Sequence, residues 1–240
     1  MALALAKGLE KECELTIVGR DEKRLLNFAK QLSKPVKTAL LDKYDIDGQT
    51  VLLCVKPYAL KDVSLNLQGR AKTIYSVLAG INIKNLKKAI KAKEFIRAMP
   101  NLSAEFFSSM TTLTGDQTKK DEAKELFSSI GQTLWVESEK ELDIATAIAG
   151  SGPAYLALVA EALADGGVKE GLKRSDAIKL VEGLFLGFSP LLKNNHPALI
   201  KDAVMSPKGT TAAGYAVLEA KGVRDAFIKA VQKAYDKTKQ

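Results

Sequence analysis

Between residues 14 and 137 the hydrophobic pattern alternates between two periods. Short β-rich apolar runs fall at residues 14–18, 36–40, 51–55, 73–78, 94–98, 111–114 and 132–136. Amphipathic stretches near residues 21–32, 57–67, 83–91 and 118–130 separate several of them. Strands alternating with helices predict βαβ units and a mainly parallel sheet. Ahead of the first run stands MALALAKGLE, whose Ala, Leu and Lys residues favour a helix. A helix that feeds straight into a strand ordinarily has an earlier strand behind it. No such strand is written here.

After residue 138 the strand pattern stops. Ser151-Gly152-Pro153 reads as a helix start and Gly166-Gly167 as its stop. A second helix begins near Ser175 and carries Ile178, Leu180, Val181, Leu184, Phe185, Leu186 and Phe188 towards Pro190. Those positions cover most of the circumference, so the helix calls for burial on all sides. A segment of about 100 residues supplies few layers to bury it. The sequence therefore points to oligomerisation through this half, with a plain bundle core as the other reading. The division falls at 1–137 and 138–240, with no internal repeat and no low-complexity tract.

Composition describes an ordinary soluble chain: 240 residues, 46% hydrophobic and 27% charged. No run of 18 or more apolar residues suggests a membrane span. The net charge of +8 invites a nucleic-acid reading. Its densest cluster, however, is Lys84, Lys87, Lys88, Lys91 and Lys93, without interleaved aromatics, which fits a solvated helix face better. The charge also suits phosphorylated or carboxylate ligands. Cys13 and Cys54 match no metal or redox spacing, and Cys54 sits in an apolar run. Reduced thiols of that kind favour the cytoplasm, without nucleic acid or membrane as partner. His196 is the lone histidine, so neither a histidine-based triad nor a histidine-rich metal site is expected.

Chemistry in an open α/β sheet gathers beyond the carboxyl ends of the strands. Three such ends carry unusual residues: Val55-Lys56-Pro57, Ala79-Gly80, and Met99-Pro100-Asn101. Small residues at Ala79-Gly80 let a flat ring or a backbone approach closely. Each alone is an ordinary turn sequence, but three in one sheet suggest a cleft. At Val18-Gly19-Arg20-Asp21, an arginine suits a ribose 2′-phosphate where an acidic residue would hold free hydroxyls. Arg20, with Lys23 and Arg24 nearby, favours NADP over NAD, although Arg-Asp is also a plain helix start. In the helical half, Ser206-Pro207-Lys208-Gly209-Thr210-Thr211 leads directly into a helix over 212–219. Free N–H groups and hydroxyls there form either a compact carboxylate site or an elaborate N-cap.

The stretches CVKPYAL, SVLAGI, RAMPN, GSGPAYLALVAEALADGGVKEGL and SPKGTTAAGYAVLE together resemble the pyrroline-5-carboxylate reductases. The last two are specific to that family in composition and order, and the likeness runs from residue 1 to near the end. The resemblance implies an α/β, Rossmann-like dinucleotide-binding domain followed by an all-α dimerisation domain, active where the cofactor domain of one subunit meets the helical domain of the dimer. It implies that Ser206, Gly209, Thr210 and Thr211 hold the substrate carboxylate, and that Thr146 lies near the ring nitrogen. Val55, Lys56, Pro57, Ala79, Met99, Pro100 and Asn101 would line the dinucleotide together with Arg20. Two positions depart from the family pattern: Ala149, where serine is common, and Lys208, where glycine is common. A strand and a G-x-G-x-M-like loop would precede the first helix, and Met1 aligns with the methionine that closes that loop. The dinucleotide domain thus reads as truncated at its N-terminus, its absent strand lying between 14–18 and 51–55.

The implied reaction transfers a hydride from NADPH, or from NADH in its place, to the C=N carbon of a cyclic imine carboxylate, giving L-proline. The proton on the imine nitrogen would come with the substrate, from water, or from a hydroxyl such as that of Thr146. The expected assembly is a homodimer through the helical half, or a higher oligomer built from it, with no metal. Two other readings stand beside it. One is a related two-domain NADP-dependent hydroxyacid dehydrogenase, which calls for a lysine on the first long helix after the sheet. The other is a dimer unable to bind its cofactor.

Overall fold

The computed structural model describes residues 1–238. Helix α1 (Ala2–Leu9) leads into strand β1 (Thr16–Gly19) and helix α2 (Glu22–Ala29), which Asp21 caps by accepting from the Arg24 amide at 2.7 Å. Strands β2 (Lys37–Leu40), β3 (Tyr44–Asp45) and β4 (Thr50–Leu53) precede α3 (Leu60–Leu65), β5 (Leu67–Gln68) and β6 (Ala71–Ser76). Then follow α4 (Ile83–Ala89), β7 (Ala92–Met99), β8 (Ser109–Gly115), α5 (Lys120–Ser128) and β9 (Gly131–Trp135). Each strand and helix read from the pattern is present, with ends shifted by a few residues. The two-residue strands β3 and β5 and a 3₁₀ turn over Leu102–Phe106 add to the reading.

Strand order in the main sheet is β4-β6-β7-β8-β9. The pairs among β4, β6 and β7 are parallel, and β8 runs antiparallel to β7. Buried residues cover both faces, as a sheet sandwiched between helices requires. Tyr75, Ile96, Leu113 and Phe127 pack with Leu5 of α1 on one side. Ile74, Leu53, Leu86 and Phe95 form the core on the other.

Strands β1 and β2 pair in parallel as a separate sheet. Among the described residues, no strand pairs with the second edge of β1 or of β4. Both strands instead line a cleft of about 800 Å³, walled by Leu5, Leu9, Ile17, Val51 and Leu53. The division lies between β1 and β4, and β1 does not pair with β4.

The remaining helices are α6 (Glu139–Ala145), α7 (Gly152–Lys169), α8 (Arg174–Asn194), α9 (Pro197–Val204), α10 (Thr210–Ala220) and α11 (Val223–Thr238). The chain forms two compact units, Met1–Pro153 with residues from Ala234 onward, and Ala154–Lys233.

Three readings of this region change. Ser151-Gly152-Pro153 opens α7 but is not a free helix start, because a π-turn over Thr146–Gly150 joins α6 to α7 without a break. The free start is at Ser138, which accepts from the Glu141 amide. Gly166-Gly167 does not stop the helix. It continues to a Schellman end, in which Gly171 takes φ +106° and the Leu172 amide donates to the Gly167 carbonyl at 3.0 Å. The helix after the hydroxyl-rich turn also starts earlier than read, at Thr210 rather than Ala212. Because α6 and α7 join, residues Glu139–Lys169 form one helix that is long enough to cross a membrane and contains an 18-residue stretch of mean hydropathy 1.4. A search for an uninterrupted apolar run passes over it.

Candidate active site

The register of the main sheet brings the three strand ends level. Leu53 pairs with Ser76, and Ser76 with Arg97. Beyond that common line run Val55-Lys56-Pro57, Val77-Leu78-Ala79 and Met99-Pro100-Asn101. Arg20, Val55 and Lys56 line the 800 Å³ cleft. Pro57 opens a 3₁₀ turn over Pro57–Ala59, so its missing N–H falls at an unpaired position. Ala79, Met99, Pro100 and Asn101 lie at the neighbouring strand ends, outside the cleft lining.

These residues fit a phosphorylated dinucleotide. Lys56 is an exposed cation at the rim of the cleft. Arg20 pairs with Asp62 at 3.0 Å, both more than half exposed, so the pair is weak and its guanidinium can be recruited by a phosphate. Gly80 takes φ +73°, and no atom lies within 4 Å of the place a Cβ would occupy, which leaves an open, flat surface. The Cys54 thiol, between the cleft and the core, is pushed up to about 11 by burial. It stays protonated and takes no nucleophilic part.

Asn101 is more occupied than a cofactor contact requires. Its side-chain oxygen accepts from the Ser103 amide and its Nδ2 donates to the Ala149 carbonyl, both at 3.1 Å. That carbonyl lies four residues before Pro153, which has no N–H to give it. Asn101 therefore supplies the bond that the proline removes. Position 149 contributes through its backbone, so alanine serves there. Thr146 opens the π-turn, half-buried, with Oγ1 donating to the Leu142 carbonyl at 2.7 Å. π-turns concentrate at functional sites. With its proton so engaged, the Thr146 hydroxyl offers its lone pairs as an acceptor.

One functional residue escaped the sequence reading. Arg97 is 2% exposed. Its two terminal nitrogens reach Glu139 at 3.0 Å and Asp143 at 3.1 Å, while Nε has no partner. The signal was an arginine inside an apolar strand, which demands charged partners. Glu139 and Asp143, four residues apart on one helix face, were the candidates.

In the helical unit, the turn before α10 is exposed. Gly209 is the N-cap and no side chain caps the helix; the hydroxyls of Ser206, Thr210 and Thr211 are not spent on it. An added Cβ at Gly209 would lie 2.3 Å from Ser206 Oγ, so a side chain there would push that hydroxyl out of its place. Lys208 takes φ +60°, a left-handed conformation that explains why glycine suits that position. The N–H groups of the first turn thus point to an open anion site. Helix α7 carries a lysine only at its last position, Lys169, which does not supply the mid-helix lysine a hydroxyacid dehydrogenase calls for.

Comparison with known proteins agrees with this architecture. A family model described as pyrroline-5-carboxylate reductase dimerisation matches residues 139–240. A pyrroline-5-carboxylate reductase of Helicobacter pylori is 36% identical, over 99% of this chain and 95% of its own length. The crystal structure of the Streptococcus pyogenes 1-pyrroline-5-carboxylate reductase superposes with a TM-score of 0.87 at 34% identity, over 100% of this chain and 94% of that one. A Plasmodium falciparum pyrroline carboxylate reductase structure with NADP bound gives a TM-score of 0.79 at 27% identity, covering 98% and 92%.

Proposed function

The chain belongs to the pyrroline-5-carboxylate reductase family, and from that premise we propose how its residues divide the work. The reaction is the NAD(P)H-dependent reduction of 1-pyrroline-5-carboxylate to L-proline, the last step of proline biosynthesis. NADP is the cofactor class. Residues 1–137 serve the dinucleotide and residues 138–240 serve dimerisation and substrate binding, with α6 and the π-turn carried on the sheet. Arg20 and Lys56 take phosphates; Val55, Pro57, Ala79, Met99 and Pro100 shape the surface for the rest of the dinucleotide, and Asn101 fixes its turn.

When bound, the reduced nicotinamide supplies a hydride for the C=N carbon. The chain's contribution is orientation and charge placement. The backbone amides at the start of α10, with the Ser206, Thr210 and Thr211 hydroxyls and Gly209, hold the substrate carboxylate. Thr146 Oγ accepts from the N–H of the protonated imine, which positions the nitrogen and favours its charged, hydride-accepting form. The proton accordingly travels with the substrate, and the Thr146 hydroxyl is not its source.

We place the homodimer contact on the helical half. Leu158, Leu180 and Leu186 are 63%, 62% and 80% exposed in the single chain, and an apolar surface of that extent calls for a partner. The same requirement accounts for the apolar helix 139–169 without a membrane. Two unpaired cysteines support a cytoplasmic setting, and the lysines of α4 are a solvated face.

The observation that carries this reading is the uncapped start of α10, with the hydroxyls of Ser206, Thr210 and Thr211 not spent on it. Thr211→Ala removes one charge-assisted hydrogen bond, about 1.5–3 kcal/mol, and should raise the KM for the imine about tenfold or more with the fold and dimer intact. Steady-state kinetics check it; an unchanged KM overturns the carboxylate site.

A further inference from the structure

Arg97 stands at a junction. Its guanidinium fork meets Glu139 and Asp143 on α6, and Glu139 Oε1 also accepts from the Ile83 amide at 2.8 Å. Ile83 begins α4, directly after the Ala79–Asn82 loop. Four residues along the chain from Arg97, Asn101 grips the Ala149 carbonyl inside the π-turn. The end of β7 therefore holds the same helix at two places. From 97 to 101 an extended chain covers about 13 Å, and from 139 to 149 a helix rises about 15 Å. The two run alongside each other.

A buried ion pair of this kind contributes little net stability. Desolvation offsets its Coulombic gain, and Nε is left without a partner. What a rigid guanidinium fork does supply is geometry, because two carboxylates one turn apart fix both the rotation and the axial register of α6. Thr146 lies three residues beyond Asp143 on that helix, so its direction follows from that register.

We propose that Arg97, through Glu139 and Asp143 and together with Asn101, is a positioning residue of the reductase: it locks Thr146 against the 79–82 loop and the 99–101 turn. Arg97 touches neither substrate nor cofactor. The inference rests on Thr146 facing the imine nitrogen. A second consequence follows for substrate recognition. The clamp residues are not those of the 206–211 turn, so its loss shifts Thr146 while leaving the residues that hold the carboxylate unchanged.

The test compares Arg97→Met, Arg97→Lys and Asp143→Asn in the full chain, each checked for circular dichroism, solution mass and NADPH binding by nicotinamide fluorescence. A displacement of about 1 Å lowers turnover up to 100-fold. The expected result is a kcat reduced about 10- to 100-fold in Arg97→Met, with the imine KM within twofold of the parent, and partial recovery in Arg97→Lys. Asp143→Asn keeps an acceptor and a foldable surface while loosening one arm, and is expected to lower kcat by a smaller factor at constant KM. It decides the matter if Arg97→Met fails to fold. A folded Arg97→Met or Asp143→Asn with the parental kcat overturns the proposal, as does a loss confined to KM. Thr146→Ala separates the two readings. If it keeps the parental kcat while Arg97→Met loses turnover, the role given to Thr146 fails and the clamp acts on the cofactor loops alone.

Discussion

The two compact units of this chain are held together by different means. In the first, Ile74, Tyr75, Ile96, Leu113 and Phe127 are fully buried between sheet and helices. In the second, the buried hydrophobic residues among those described are two alanines, Ala164 and Ala177, while leucines on α7, α8 and α10 face outward. Helices of the second unit form as readily as those of the first, although α8 and α10 start without a side-chain cap where Asp21, Asn82 and Ser138 cap helices of the first. Their apolar residues are spread around the circumference, and no layer of the same unit covers them. The difference teaches that a sequence can specify secondary structure fully while leaving its apolar faces without a covering layer in the single chain.

The largest expected effect breaks the weaker side of that comparison. Leu184→Asp, on the outward surface of α8, removes a leucine that the proposed dimer would bury, about 1.5–3 kcal/mol in each subunit and so about 3–6 kcal/mol across a two-fold interface. Sedimentation should find a monomer with a depleted helical half. Phe127→Ala strikes the other unit. It should lower unfolding stability by about 3–5 kcal/mol in denaturant titrations, without changing the solution mass of the folded protein. The two variants thus fail in opposite observables.

Smaller effects sharpen the contrast. Lys208→Gly relieves a left-handed lysine, a strain of about 1–2 kcal/mol partly offset by glycine's greater unfolded freedom. A rise in thermal stability of the helical half should follow, read by circular dichroism. The smallest effect is electrostatic. Glu122, beside the Lys119 ammonium and below the Tyr75 hydroxyl, is held below the usual carboxylate range. A group depressed in the folded state stabilises above its unfolded value, and that contribution is lost as pH falls through the folded value. Glu122→Gln should therefore flatten the acid limb of a stability–pH curve by lowering its neutral and alkaline plateau, and leave stability at low pH unchanged.

Much of this fold is legible in the sequence because the relevant signals are local. Alternation and turn residues locate the strands, and the hydroxyls and glycine of 206–211 mark the open turn before α10. Errors arise where a distant residue settles a local ambiguity. Pro153 reads as a free helix start, yet Asn101, 48 positions from Ala149 along the chain, satisfies the carbonyl that the proline leaves, and the helix runs through. Gly166-Gly167 reads as a stop, but Gly167 packs near Leu172 and Ala177, and Gly171 ends the helix instead. Arg97 reads as one more residue of a strand end, because its partners lie over 40 positions further on.

The central claim is that the helical unit is complete only when paired. It is tested most directly by sedimentation of the full chain across a dilution series, with helicity followed on the same samples. The account predicts a dimer at high concentration that loses helicity in step with its mass on dilution, while the sheet signal persists. A monomer that retains all of its helical content would contradict it.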